Sequence, residues 1–238
     1  MNKDAFKLMT HQWFTSWIAL IFSFAFFGIY GAFAGVFTNV WLLEYVPAVR
    51  AIPDITILTF MSSIGFLFTK VYLTPYWRTD AFTKNLATLR SLPISAKTLA
   101  ASRILQILIV SPLNAAVFFT AFYVSSSWIR EFHFIIFVGF VLVWLLFGMI
   151  CSGFLILLEW GTSGRGYIFG TFVVVLVILA ASILYNVLLE SSIVVGLIDI
   201  LHTSFGWLLP VLMIILAGAA LRGTYHRLQY IMKHRDIA

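Results

Sequence analysis

Six long apolar runs with few charged residues make up most of this chain of 238 residues. A bilayer core about 30 Å thick needs roughly 20 apolar residues per helix, and each run comes close to that length. The runs are apolar on every face, whereas the strands of a β-barrel would alternate, and helices satisfy all of their own backbone groups in lipid. The sequence therefore predicts an all-α polytopic membrane protein.

The predicted spans belong to a single membrane domain over residues 1–238. Only 10% of the residues are charged, against about a quarter in soluble domains, so we expect no attached soluble domain. We place the spans near Phe14–Val36, Ile55–Leu73, Ile104–Val124, Phe134–Leu158, Ile168–Leu188 and Phe205–Leu221.

The cations lie almost entirely on one side of these spans. With the N-terminus inside, Arg50 and Arg130 fall outside and the other 13 of the 15 Lys and Arg residues are cytoplasmic. Positive residues concentrate on the cytoplasmic side of membrane proteins. We therefore predict six spans with both termini cytoplasmic, in a cell membrane of the bacterial plasma-membrane kind. The net charge of +6 is a topology signal and does not indicate a nucleic-acid partner.

A basic, mostly polar stretch, Thr74–Arg103, separates the second and third spans. Within it, Phe82, Leu86 and Leu89 recur at helical spacing, which predicts an amphipathic helix over Asp80–Ser91. Pro93 disfavours helical geometry at the residue before it, and Ser95 can cap the next helix through its hydroxyl. We expect a short cytoplasmic helix, a hinge at Pro93 and Ser95, and a long helix that enters the membrane.

Two further segments are predicted to lie at the membrane surface. Ahead of the first span, Phe6, Met9 and Trp13 recur at helical spacing with Lys7 elsewhere, as in an interfacial helix or a plain aromatic anchor. The outer segment between the last two spans is too apolar for an ordinary loop, and we expect an interfacial or partly inserted helical pair. It contains Glu190, Asp199 and His202.

Small residues at two places suggest close contacts between helices. They are Gly31 with Gly35 and Gly166 with Gly170, each pair four residues apart. Glycine pairs at this spacing let membrane helices approach closely.

The sequence lacks the patterns of an energy source or a catalyst. No G-x-x-x-x-G-K-[ST] motif is present, and Asp199 with His202 has no third residue that would complete a metal site. The spans are nearly free of ionisable groups, and Lys70 and Glu159 are interpreted as boundary residues. We therefore predict no catalytic residues and no metal or cofactor in this chain.

The chain resembles permeases of the ATP-binding-cassette exporter type-two family in three features. They are the sequence LATLRSLPISAKTLAASRIL over Leu86–Leu105, the number of spans and the two surface segments. In that family a Leu-Pro-hydroxyl stretch precedes an Arg-Leu pair that opens the third span. The resemblance implies a dimer of six-span subunits, formed with a second copy or a homologous permease, in which each subunit contacts a cytoplasmic nucleotide-binding ATPase subunit.

The resemblance also assigns positions by their place in the chain. The coupling helix that contacts the ATPase falls on Asp80–Ser91, and the helix before the first span corresponds to the connecting helix, with Phe6, Lys7 and Met9. The expected ATPase contacts are Lys84, Asn85, Thr88, Leu89, Arg90 and Ser91.

Other functions stay open at the level of sequence. The aromatic, uncharged spans suggest an amphipathic or hydrophobic substrate such as a peptide, a lipid-linked molecule or a drug. An ion-coupled secondary transporter would fold similarly, and a non-transporting anchor or immunity protein could recruit an ATPase. Anionic membrane lipid could hold the basic loop without any protein partner.

Overall fold

The computed structural model of this chain describes residues 3–14, 17–41, 47–67, 80–91 and 93–234. All of the regular elements in these ranges are helices, as predicted. They are α1 (Lys3–Phe14), α2 (Trp17–Trp41), α3 (Pro47–Ser62), α4 (Ala81–Ser91), α5 (Ala96–Ser125), α6 (Ser127–Arg130), α7 (Phe134–Gly161), α8 (Gly164–Leu189), α9 (Ile193–His202) and α10 (Leu208–His234).

Five of the described helices are long and apolar enough to cross a membrane, which agrees with a multi-pass membrane protein. They are α2, over Leu20–Val40, and the whole of α5, α7, α8 and α10. Each of them contains most of one predicted span.

The predicted second span differs from the structure. A helix over Ile55–Leu73 was expected, but α3 begins at Pro47, ends at Ser62 and is followed by a turn over 63–65. Sixteen residues make a helix about 24 Å long, which is shorter than the roughly 30 Å hydrocarbon core. Residues 68–73 of the predicted span lie outside the described residues.

The helices pack around two apolar clusters, one toward each end of the bundle. The cluster that contains Phe118, Phe122 and Phe140 lies beside α9 and the turn between α5 and α7. The other, which contains Leu99 and Trp160, lies beside α4 and the last turns of α10. We call the end at the second cluster the basic end, for the charges described below.

Small residues permit a close contact between α2 and α5. A Cβ atom at Gly31 would overlap the carbonyl oxygen of Phe118, and one at Gly35 would lie 2.8 Å from that of Phe122. The predicted contact at this first glycine pair is therefore confirmed. At the second pair, Gly170 faces Leu158 of α7, whereas Gly166 faces Thr162 just before its own helix.

The outer segment forms one helix, α9, rather than the expected helical pair. Its apolar face, with Val194 and Ile198 fully or almost fully buried, packs against α7. Turns over 203–207 then lead into α10.

Candidate functional site

The predicted amphipathic helix forms as α4, and its apolar face is buried in the bundle. Phe82, Leu86 and Leu89 are all under 10% exposed, and Leu86 and Leu89 belong to the cluster at the basic end. The Phe82 ring centroid lies 4.9 Å from that of Tyr167 on α8. Leu89, expected as an ATPase contact, therefore faces the bundle and anchors α4 instead.

The opposite face of α4 is exposed and polar. Lys84, Thr88 and Ser91 are exposed there. The Thr88 hydroxyl donates to the Lys84 carbonyl oxygen at 3.0 Å, and the Ser91 hydroxyl donates to that of Thr88 at 2.8 Å. Both hydroxyls therefore keep lone pairs that can accept hydrogen bonds from a partner. The side chains of Asn85 and Arg90, also predicted contacts, lie outside the described residues.

Polar contacts tie the start of α4 to α8. The Asp80 carboxylate accepts a hydrogen bond from the Gly164 backbone N–H at 2.8 Å, at the first residue of α8. Asp80 also has φ of 44°, in the left-handed region where Asp is tolerated better than most residues. Because α4 packs on both α7 and α8, a displacement of α4 would act on these helices directly.

At its other end, α4 leads into α5 through Pro93 and Ser95. The Ser95 hydroxyl accepts a hydrogen bond from the Thr98 backbone N–H at 3.1 Å, so the predicted helix cap is confirmed. The helix that Ser95 caps is α5, which continues without interruption for 30 residues. The segment at Pro93 and Ser95 therefore separates a short helix from a long one, as predicted.

The helix predicted ahead of the first span forms as α1. In α1, Ala5 and Met9 are buried at the contact with α5, whereas Lys7 is exposed. Phe6 is 41% exposed, as a side chain that meets the membrane interface would be. Its place in the interface stays a prediction.

Exposed cations from five parts of the chain meet at the basic end. They belong to α1, α4, the start of α5 and the second half of α10, which pack around the same cluster, and to the start of α8, which packs against α4 and α7. The exposed residues are Lys7, Lys84, Lys97, Arg165, Arg222, Arg227 and Lys233. The charge bias seen along the sequence is thus also a bias in space.

Beneath this surface, a buried ion pair joins α5 to α7. An Arg103 guanidinium nitrogen lies 3.6 Å from a carboxylate oxygen of Glu159, and the side chains are 10% and 4% exposed. Arg103 also donates to the Gln106 side-chain oxygen at 3.0 Å and lies over the Trp160 ring, 5.2 Å from its centroid. Glu159 thus lies in the last turn of α7, at the end of its span as expected, and it is buried in an ion pair that the sequence did not predict.

The break after α3 is held by polar side chains at membrane depth, which the sequence interpretation missed. The Asn114 amide donates to the carbonyl oxygens of Ile64 and Phe66, at 2.8 and 3.3 Å. The Ser152 hydroxyl accepts from the Gly65 backbone N–H at 2.9 Å. Non-helical backbone is tolerated in a membrane where protein covers it, and here α5 and α7 do so.

Tight packing keeps this break in place. A Cβ atom at Gly65 would lie 2.7 Å from the Ser152 side chain, and one at Gly148 would lie 2.5 Å from the Met61 carbonyl oxygen. The side-chain oxygens of Ser111 and Asn114 are buried and have no hydrogen-bond partner among the described residues. Two features of the sequence could have revealed the break. They are a glycine, Gly65, within an apolar run, and the polar residues Asn114 and Ser152 within neighbouring spans.

A cavity of about 280 Å³ opens beside this break, between α2, α3, α7 and α8. Its wall is mainly aromatic and aliphatic, with Phe27, Phe60 and Leu155 among its residues. Hydroxyl side chains at Ser63 and Thr171 also line it. The sequence interpretation placed no such site.

At the opposite end, a buried carboxylate organises the outer segment. Asp54 on α3 accepts hydrogen bonds from the Ile193 and Val194 backbone N–H groups at 2.9 and 3.0 Å, at the first turn of α9. The Ser192 hydroxyl and the Asn186 amide also donate to it, at 2.5 and 2.8 Å. Asp54 thus joins α3, α8 and α9.

The predicted outer residues do not converge on a site. Asp199 and His202 are exposed on α9, and the His202 ring lies 5.5 Å from the Phe132 ring. Glu190 is an exposed residue with φ of 51° that ends α8, and its carbonyl oxygen accepts from the Arg50 guanidinium. Within the described ranges, no three His, Cys, Asp or Glu residues come together as a metal site.

The sequence matches no protein-family model, and comparisons with characterised proteins and with solved structures give no match.

Proposed function

We propose that this chain is the membrane-spanning permease subunit of an ATP-binding-cassette exporter of the type-two kind. It would move an amphipathic or hydrophobic substrate outward, and a separate cytoplasmic subunit would bind ATP and Mg²⁺ and hydrolyse the nucleotide. The proposal includes six crossings, with α3 and the residues after it as the second, and pairing with a second permease copy or a homologous permease.

The observation that carries the proposal is the asymmetry of α4. Its apolar face is buried against the bundle, while Lys84, Thr88 and Ser91 point outward at the end where the exposed cations gather. A loop that only attracted anionic lipid would need scattered positive charge and no anchored helix. An anchored helix with an exposed polar face is what a docking ATPase would need in order to push on the bundle.

The contacts of α4 suggest how such a push would act. The Asp80 hydrogen bond to Gly164 and the Phe82 contact with Tyr167 would transmit motion to α8. The segment at Pro93 and Ser95 would transmit it to α5, whose ion pair from Arg103 reaches α7. A ligand shifts a conformational equilibrium only through contacts that differ between the two states, so ATP-driven closure of the partner must change its contact with α4.

The ion-coupled alternative finds less support in the described residues. The polar groups around the α3 break are amides and hydroxyls, and the buried acids Asp54 and Glu159 have partners at opposite ends of the bundle. Proton and ion pathways in membrane proteins usually place ionisable groups at membrane depth. The break therefore does not favour a proton relay.

Charge reversal can distinguish ATPase docking from lipid attraction. Lys84→Glu removes a cation from the exposed face of α4, and Lys233→Glu removes one from α10 at the same end. The chain would be co-expressed with Walker-A ATPases from neighbouring reading frames, and co-purification and ATP-driven transport in vesicles would be measured.

We expect Lys84→Glu, alone or with Thr88→Trp, to abolish co-purification and transport while Lys233→Glu leaves both intact. Equal effects of the two charge reversals would favour lipid attraction. Co-purification of every variant with no transport of any amphipathic compound would favour the anchor or immunity function.

A further inference from the structure

We propose that the cavity between α2, α3, α7 and α8 binds a neutral amphiphile, whose apolar chain contacts the aromatic wall and whose hydrogen-bond donor meets hydroxyls near the α3 break. This inference names the class of substrate and rests on the export function proposed above. It places the substrate inside one subunit.

The wall of the cavity suits an apolar chain. Phe26 and Phe27 of α2, Phe60 of α3 and Leu155 of α7 line it, and the Phe26 and Phe60 ring centroids are 5.7 Å apart. Apolar walls with a small number of placed polar groups are typical of small-molecule sites. In the part of the chain that the structure describes, no Asp, Glu, Lys or Arg lines this cavity.

Five residues with hydroxyl groups line the cavity: Thr59, Ser62, Ser63, Tyr167 and Thr171. The hydroxyl of Ser63 donates to the Phe60 carbonyl oxygen at 3.1 Å, and that of Thr171 donates to the Tyr167 carbonyl oxygen at 2.8 Å. A hydroxyl has one donor and two acceptor lone pairs, so Ser63 and Thr171 each still offer acceptor capacity. A ligand group that donates is therefore complementary to these two hydroxyls.

The α3 break creates this arrangement. If the helix continued through residues 63–67, Ser63, Phe66 and Leu67 would follow the helical surface, whereas the turn brings all three to the cavity. Asn114 and Ser152 hold that turn from its opposite side, so they act as positioning residues. Because the described residues that line the cavity carry no charged side chain, a fixed charge on the buried part of a ligand would lose its hydration without gaining a partner among them.

The test uses the full chain in phosphatidylcholine nanodiscs and a monoacylglycerol that carries a diazirine in its acyl chain. After irradiation, mass spectrometry would map the labelled residues. Competition would compare monooleoylglycerol, which has hydroxyl donors, with methyl oleate, which has the same chain and no donor. We expect labelling of residues within 59–67 or 167–175, and at least tenfold stronger competition by monooleoylglycerol, as about two hydrogen bonds would give.

Two variants and one matched control test the hydroxyls. Ser63→Ala and Thr171→Val should each weaken monooleoylglycerol competition roughly fivefold, since each removes one hydrogen-bond acceptor, and should leave methyl oleate unchanged. Thr56→Val is the control, because the Thr56 hydroxyl makes the same kind of contact, to Ile52 at 2.8 Å on α3, but does not line the cavity. Thermal unfolding would verify that each variant is folded. If one of the two variants does not fold, the other is sufficient for the test.

Three results would overturn the inference. They are no labelling, labelling confined to lipid-facing residues of the bundle, and equal competition by methyl oleate, which would make the cavity an unselective apolar space. The proposed export function is tested separately, because the co-purification assay on Lys84 does not involve this cavity. Loss of labelling with retained ATPase docking would refute only the substrate site.

Discussion

The ion pair between Arg103 and Glu159 should hold the basic end of the bundle together, and its removal can be predicted in some detail. Both groups are nearly inaccessible, with side-chain exposures of 10% and 4%, and their closest nitrogen and oxygen atoms are 3.6 Å apart. At that distance the gross attraction is about 4–5 kcal/mol at an effective dielectric constant near 20, before desolvation is subtracted. The net effect therefore depends on which groups are left behind.

Removal of one partner should be much worse than removal of both. Glu159→Leu leaves the Arg103 guanidinium buried without its carboxylate, and such a loss typically costs about 3–5 kcal/mol of unfolding free energy. Arg103→Met has a similar cost for the stranded carboxylate, although Met keeps an apolar contact with Trp160. The double variant buries two apolar side chains of similar length, so we expect its stability to lie within about 1 kcal/mol of wild type or above it.

Reversible unfolding in mixed detergent micelles, titrated with a denaturing detergent, would measure the three variants. Arg222→Met is the matched control, because Arg222 is an exposed cation on α10 and its loss should cost under about 0.5 kcal/mol. The expected coupling energy in the double-mutant cycle is about 5 kcal/mol or more, because both single costs disappear in the double variant. Additive effects of the two single changes, or single changes no costlier than the control, would show that the pair contributes little to stability.

Two further predictions concern packing and the outer segment. Gly31→Ala should destabilise the protein by about 1–3 kcal/mol, because its Cβ would overlap the Phe118 carbonyl oxygen, while Gly218→Ala, with open space around it, should be neutral or stabilising in the same unfolding assay. Asp54→Asn places an amide where four donors converge, so we expect a loss of about 1–3 kcal/mol and faster proteolysis between α8 and α10. Asp199→Asn, at an exposed position, is its control, and equal protease sensitivity of the two variants would contradict the capping role.

Most of the fold was predictable because a helix that spans a bilayer needs a sufficient length of apolar residues, which can be read directly from the sequence. Five spans, the α4 helix with its buried Phe82 and Leu86, and the Ser95 cap follow from length, period and local hydrogen bonding. The first glycine contact also followed from spacing. These features depend on residues close together in sequence, which is the range over which such patterns are informative.

What could not be predicted depends on partners distant in sequence. The partner of Glu159 is Arg103 on another helix, and the backbone that Asp54 caps begins at Ile193, so no local pattern indicates either contact. Spacing also could not show that Ala5 and Met9 would meet α5 while Phe6 stays exposed. In each case the sequence identified a polar or aromatic residue correctly and could not say which surface would meet it.

The break after α3 shows why hydropathy is a poor guide to functional parts of a membrane domain. Ile64 and Phe66 are as apolar as a helical span requires, and the turn between them would be costly in lipid because its backbone groups would lack partners. Asn114 and Ser152 supply those partners, so the cost is offset only in the assembled bundle. Here the polar groups lie on two helices, α5 and α7, and their shared effect is to bring Ser63 and its neighbours to the cavity beside the break. A continuous α3 would need neither group, so a test for a bound ligand is best directed at this break.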